Sequence, residues 1–214
     1  MLKIADKLKS NKRIAVFAVI LLIILLIIFF IILSKKDYKN INIGNNISNK
    51  TLDDVEEYIL NISSYKAKLE VTINSNKNTN KYILTQVHNK DEDVQEIISP
   101  ENIKGMKLLY KDNTLTIKNT MLDLQKVYNN YPYIESNNLW LNSFIKEYKI
   151  SKNKKIFNED ENIIILIEVS MDSKIKYKEL YLDKKTLKPT KLLLQDNNKK
   201  AIIYILYNEI ELNY

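Results

Sequence analysis

The sequence predicts an α+β protein: one N-terminal transmembrane helix, then a body in which an antiparallel strand meander follows one helix and is interrupted by another. Three observations carry this. An unbroken apolar run occupies 14–33, period-two alternation begins at Tyr65, and apolar residues recur at helical spacing near residues 52 and 141. The chain accordingly divides into a basic N-terminal segment 1–13, a membrane helix 14–33, a polar tether 34–50 and a folded body 51–214.

The stretch "IAVFAVILLIILLIIFFIIL", Ile14 to Leu33, is twenty residues without a polar side chain. At about 1.5 Å per residue it covers a hydrocarbon core of about 30 Å. A cleaved signal would have a shorter apolar region ending in small residues, whereas this one ends in Phe-Phe-Ile-Ile-Leu followed by Ser34, Lys35 and Lys36, so an uncleaved anchor is expected. Five Lys or Arg precede the span and three follow it closely, which predicts a cytoplasmic N-terminus and an extracytoplasmic body on a single-pass protein of the cell membrane.

After the span, "DYKNINIGNNISNK" is Asn-rich and lacks periodicity, as a tether does. Thr51 then stands as a helix cap, with Leu52, Val55, Ile59 and Ile62 on one face. From Tyr65, the residues Ala67, Leu69, Val71 and Ile73 alternate with Lys66, Lys68, Glu70 and Thr72, the pattern of a half-buried strand. Tyr82–His88 and Val94–Ile98 read as further strands, and "LLYKDNTLTIKN" as a hairpin about Asp112-Asn113. Leu122–Tyr128 fits a strand or a loop equally.

Leu141, Phe144, Ile145 and Tyr148 at i, i+3, i+4, i+7 predict the second helix. Four strands are expected after it: 163–169, 175–182, 190–195 and 201–207. Two of them, "IIILIEV" and "AIIYILY", are apolar at both parities, so a sheet covered on both faces is expected there, by helices on one side and by a concavity, cargo or partner on the other.

The net charge of +7 is concentrated at the membrane flanks, since residues 1–39 hold eight Lys or Arg against two Asp, so composition gives a nucleic-acid partner no support. The absence of Cys excludes disulfides, thiolate metal sites, a cysteine nucleophile and a lipid attached through an N-terminal cysteine. With only two Gly there is no glycine-rich phosphate loop.

His88, the single histidine, stands in "QVHNKDED" beside three acidic residues that read as a solvated turn and not as converging metal ligands. Glu159, Asp160 and Glu161 read as another solvated loop. No Ser sits in a G-x-S-x-G elbow, so no catalysis, metal or cofactor is expected. Trp140 falls one position off the Leu141/Phe144 face and is expected at a rim, where an aromatic contacts a partner or ligand. Tyr131 and Tyr133, flanking Pro132, are candidates for the same role.

The order of elements, with "LYLDKKTLKPTKLLLQD" as a strand ending in Asp, a short turn and a Pro-led return strand, resembles the LolA-like family. That resemblance implies a curved antiparallel half-barrel with helices set against its opening. More narrowly, "VQEIISPENIKGMKLLYKDNTLTIKN", Val94 to Asn119, is similar to the clostridial germination lipoproteins of the GerS type. Their association with a spore-cortex amidase of the CwlD type implies a non-catalytic partner of a peptidoglycan amidase, held at a membrane of the developing spore. The LolA-like resemblance implies an alternative, a module whose concave face binds a lipid or lipoprotein as carrier or envelope sensor. GerS-type lipoproteins carry a lipidated cysteine that this chain lacks, so residues 14–33 take the place of the lipid anchor.

Overall fold

A computed structural model describes residues 52–75, 77–131, 138–169 and 174–214. The apolar run 14–33, the tether and Tyr133 lie outside these residues, and no helix among the described residues is long and apolar enough to cross a membrane.

Helix α1 (Leu52–Leu60) leads into strands β1 (Ser64–Asn74), β2 (Thr79–His88), β3 (Asp93–Ser99), β4 (Met106–Lys111), β5 (Thr114–Asn119) and β6 (Leu124–Tyr128). Helix α2 (Leu141–Ile150) follows, and β7 (Lys154–Glu159), β8 (Asn162–Glu168), β9 (Tyr177–Asp183), β10 (Pro189–Gln195) and β11 (Ala201–Asn213) complete the chain. All eleven strands form one open antiparallel sheet in the order β6-β5-β4-β3-β2-β1-β11-β10-β9-β8-β7. Two meanders thus meet where the first strand pairs with the last. Because β6 and β7 are opposite edges, the connection between them has to cross the sheet, and it carries α2 over one face.

That face holds the core. Tyr65, Ala67, Leu69 and Val71 of β1 are buried while the alternate residues are not, as the period of two requires. Their partners on β11 are Leu212, Ile210, Tyr207 and Ile205, with a bulge at Lys68/Leu69. The extra residue keeps Tyr207 and Ile210 on the same buried side although they are three apart. In the second meander, Ile205, Leu192, Leu180 and Ile165 line up in register across four strands, and all four are fully buried. Val55 and Ile59 of α1 and Leu141, Phe144 and Tyr148 of α2 close over them.

The expected elements appear with small shifts, and Leu124–Tyr128 is a strand. One expectation is corrected here. A fifth strand, β7, belongs to the second meander; as an edge strand with only Ile156 partly buried, it carries almost no alternation to read. The outer face of the second meander is covered by no element among the described residues. Lys191 Nζ lies over the rings of Tyr181 and Tyr204 there, at 3.4 and 5.8 Å from their centroids. The basic β9–β10 tip is only partly solvated, because Leu187, at φ +57° within it, is fully buried.

Candidate functional site

The inner face changes character along the sheet. In the second meander it is aliphatic, while in β2 and β3 it presents Gln86, His88, Asp93 and Gln95 at inward positions. Gln86 and Gln95 pair across the ladder, as do His88 and Asp93, and the second row continues to Tyr110 on β4 and Leu115 on β5. Buried polar groups need partners, and here they satisfy one another. Tyr65 Oη donates to Gln86 Oε1 (3.2 Å) and accepts from the N–H of Leu141 (3.2 Å). Gln86 Nε2 donates to Gln95 Oε1 (2.9 Å) and to the carbonyl of Leu139 (3.3 Å). The network ties the entry of α2 to β1, β2 and β3. Burial pushes the Tyr65 phenol well above its ordinary pKa, and Tyr207 and Asp93 act in the same direction, so Tyr65 serves the network as a neutral hydroxyl.

At the end of this row His88 Nδ1 contacts Asp93 Oδ1, and Asn142 Nδ2 of α2 lies 3.3 Å from the same nitrogen. Asp93, expected in a solvated turn, is 7% exposed. The residues Asn89–Glu92 make the turn, Asn89 Oδ1 accepting from the N–H groups of Asp91 and Glu92, and the ladder resumes at Asp93 on the inner face. The hairpin spacing of five between His88 and Asp93 was the signal available in the sequence.

This pair stands at the floor of a groove of about 710 Å³. One wall is a single face of α2, formed by Asn142, Ile145, Lys146 and Lys149 at i, i+3, i+4, i+7. Lys90, Tyr110 and Asn113 line it from the sheet side, Leu60 and Ile62 from the end of α1, and Asn130 and Tyr131 from the segment after β6. Tyr131 donates its N–H to the Asn113 carbonyl (2.8 Å), and Tyr110 Oη donates to Asn113 Oδ1 (2.9 Å), so the hairpin tip holds this side of the groove together.

Of the three aromatic candidates, Tyr131 is at this groove, 36% exposed. Tyr133 lies outside the described residues. Trp140 is corrected: it is 2% exposed, within the core, with its ring 6.4 Å from that of Tyr65. It precedes the helix in extended conformation (φ −94°, ψ 134°), so the helical phase that set it one position off the apolar face does not apply to it.

Among the described residues His88 touches Asp93, Asn142 and the Tyr65 ring. Among the described residues no three His, Asp or Glu converge as a metal site.

Residues 18–214 match the family model of the sporulation proteins described as YdcC-like. The chain belongs to that family. The link to sporulation expected from the sequence is thereby shown. No curated protein matches the chain. Among solved structures it is similar to MucB (11% identity over 74% of this chain and 57% of that one, TM-score 0.50). It is also similar to a chain of the complex between the CwlD amidase from Clostridioides difficile and the GerS lipoprotein (22% identity over 76% of this chain and 96% of that one, TM-score 0.49). A LolA superfamily protein from Nitrosomonas europaea is a further neighbour (9% identity over 77% of this chain and 94% of that one, TM-score 0.40). At these identities the likeness is one of fold, a mostly antiparallel open sheet with few helices.

Proposed function

We propose that this YdcC-like protein is a membrane-anchored, non-catalytic component of sporulation or germination that binds and supports a spore-cortex peptidoglycan amidase of the CwlD type. The observation that carries the reading is the family match over residues 18–214, which covers the whole body and part of the apolar segment. The amidase partner comes from the sequence resemblance of Val94–Asn119, now β3 to β5, to the GerS type. In this reading residues 14–33 anchor the protein with its N-terminus in the cytoplasm, and the open sheet is the half-barrel of the LolA-like class.

The alternative, a lipid or lipoprotein carrier, is opposed by packing. The space between the sheet and α2 is filled by Phe144, Leu180, Leu192 and Ile165, all fully buried, and the groove beside α2 mixes lysines and carboxamides with Leu60, Ile62 and Ile145. An acyl chain would have to displace this core, at a cost of several kcal/mol for the lost side-chain burial.

The test is co-expression of the full chain with the sporulation amidase of the same organism, detergent extraction and co-purification, followed by an assay of the amidase on peptidoglycan. A stable complex with altered amidase activity supports the reading. Absence of a complex together with unchanged activity removes it.

A further inference from the structure

We infer that the groove between α2 and the β2–β5 sheet is a binding site for a carboxylate-bearing saccharide. Three observations converge there. The first is charge: Lys90 and Lys149 line the groove, and the one carboxylate among its described lining residues, Asp93, is engaged by His88, so these two ammonium groups face an incoming group. Lys90 and Lys149 are exposed and form no ion pair among the described residues, leaving their ammonium groups available for charge-assisted hydrogen bonds to an anion.

The second is an unmet hydrogen bond. Asn142 is 8% exposed, its Nδ2 lies against His88, and its Oδ1 has no hydrogen-bond partner among the described residues although it belongs to a side chain at the groove. An amide oxygen left so is unfavourable, and a ligand hydroxyl or amide that presses into the lining would satisfy it. The third is the balance of the remaining lining. Carboxamides from Asn113 and Asn130 and the rings of Tyr110 and Tyr131 stand opposite the helix. Neutral amides answer hydroxyl and acetamido groups, and tyrosine rings offer an apolar face with a polar tip to a sugar. A volume of about 710 Å³ suits a ligand of disaccharide size. An acyl chain would instead meet lysines and carboxamides beside the apolar lining from Leu60, Ile62 and Ile145.

Among acidic amino sugars, the one this site would meet beside an amidase is the muramic acid of peptidoglycan, whose lactyl carboxylate is freed when the amide to the stem peptide is hydrolysed. That choice rests on the proposed function, whereas the ligand class rests on the groove alone. The site would hold glycan next to the partner without contributing to its chemistry.

The test uses the full chain in detergent, without any amidase, and as probe fragments the peptide-free disaccharide of N-acetylglucosamine and N-acetylmuramic acid, whose lactyl carboxylate is free, with binding followed by calorimetry. Neutral N-acetylglucosamine tetramer and phosphatidylglycerol vesicles serve as comparison probes. Saturable binding of the fragments is expected, weakening with salt and falling about tenfold or more in a Lys90→Glu/Lys149→Glu variant, as loss of charge-assisted bonds requires. Both lysines are exposed, so the variant should keep the parent's thermal midpoint and near-ultraviolet spectrum. Asn142→Asp, which puts a like charge beside Asp93, should weaken binding independently. Fragment affinity unchanged in the double variant would overturn the inference. So would equal binding of the neutral tetramer, or competition by phosphatidylglycerol vesicles, which would identify the groove as a lipid-headgroup site. The amidase reading is judged by co-purification, so either can fail without the other.

Discussion

Lys178 Nζ lies 2.5 Å from Glu147 Oε2, joining the inner face of β9 to α2 through a lysine whose side chain is 1% exposed. The same ammonium donates to Asn138 Oδ1 at 2.6 Å. Lys178 holds the inward position of a strand whose neighbours at the same parity, Leu180 and Leu182, are core residues, so its charge is tolerated only because α2 brings a carboxylate over it. Glu147→Ala should therefore lower the unfolding free energy by about 3–5 kcal/mol, the cost of stranding a buried charge. Replacing both partners, Lys178→Met with Glu147→Leu, should recover most of the loss. Urea denaturation of the three variants checks this; an unaltered midpoint in Glu147→Ala would sink it.

Tyr65 is the hinge pin of the buried polar network. Tyr65→Phe keeps the ring but leaves Gln86 Oε1 and the Leu141 N–H without their partner, so a loss of about 1–3 kcal/mol is expected. Amide hydrogen exchange should show the Leu141 N–H and the first turn of α2 deprotected ahead of the β9–β11 strands.

Gly105 joins β3 to β4 with φ +78°, where its N–H donates to the Ile97 carbonyl (2.9 Å) and its carbonyl accepts from the Thr120 hydroxyl (3.0 Å). A Cβ there would stand 2.7 Å from Thr120 Oγ1. Gly105→Ala should destabilise by about 1–2 kcal/mol from the left-handed backbone alone, more with the clash. Thr120→Ser, which keeps the hydroxyl, should leave that cost in place, and thermal melts of the single and double variants test it.

Asp183 closes the β9–β10 turn. Burial pushes its pKa up, but the hydroxyl and N–H of Thr186 and the N–H of Lys185 outweigh that and hold it below the usual carboxylate value. A folded pKa below the unfolded one adds stability that is present above about pH 4 and is lost as pH falls through the folded value. Asp183→Asn should flatten that part of the acid limb in a plot of stability against pH; an acid limb identical to the parent's would refute the assignment.

Burial raises the pKa of Tyr65 and Tyr207 above the ordinary phenol value. The sign is opposite to that of Asp183: their contribution is complete below about pH 10 and is lost as pH rises through the folded values. In an absorbance titration of phenolate these two rings should ionise only with unfolding, and Tyr207→Phe should extend the native range upward in pH.

Much of the architecture was legible in the sequence because it depends on local period. Tyr65 to Ile73 alternates cleanly because one face of β1 meets the core and the other meets solvent. Leu141, Phe144 and Tyr148 announce α2 for the same reason. Edge position hid β7, whose Lys154, Lys155 and Glu159 are exposed on both faces. The groove was nearly invisible. Tyr131 was named as a candidate, but His88 and Lys90 stand at the end of β2 and Asn142 and Lys149 on α2, more than fifty residues on, and no motif joins them.

The sequence by itself determined the strand and helix periods, the concentration of positive charge at the apolar N-terminal segment, and a chemistry without cysteine or glycine-rich loops, because these follow from the order and kind of neighbouring side chains. Tertiary structure decided the rest. Pairing β1 with β11 sends the 129–153 connection from one sheet edge to the other, and that crossing sets α2 over the inner face. Only then does Glu147 reach Lys178, does Asn142 reach His88, and does a groove open between helix and sheet. These contacts join residues more than thirty positions apart, where no local period can record them.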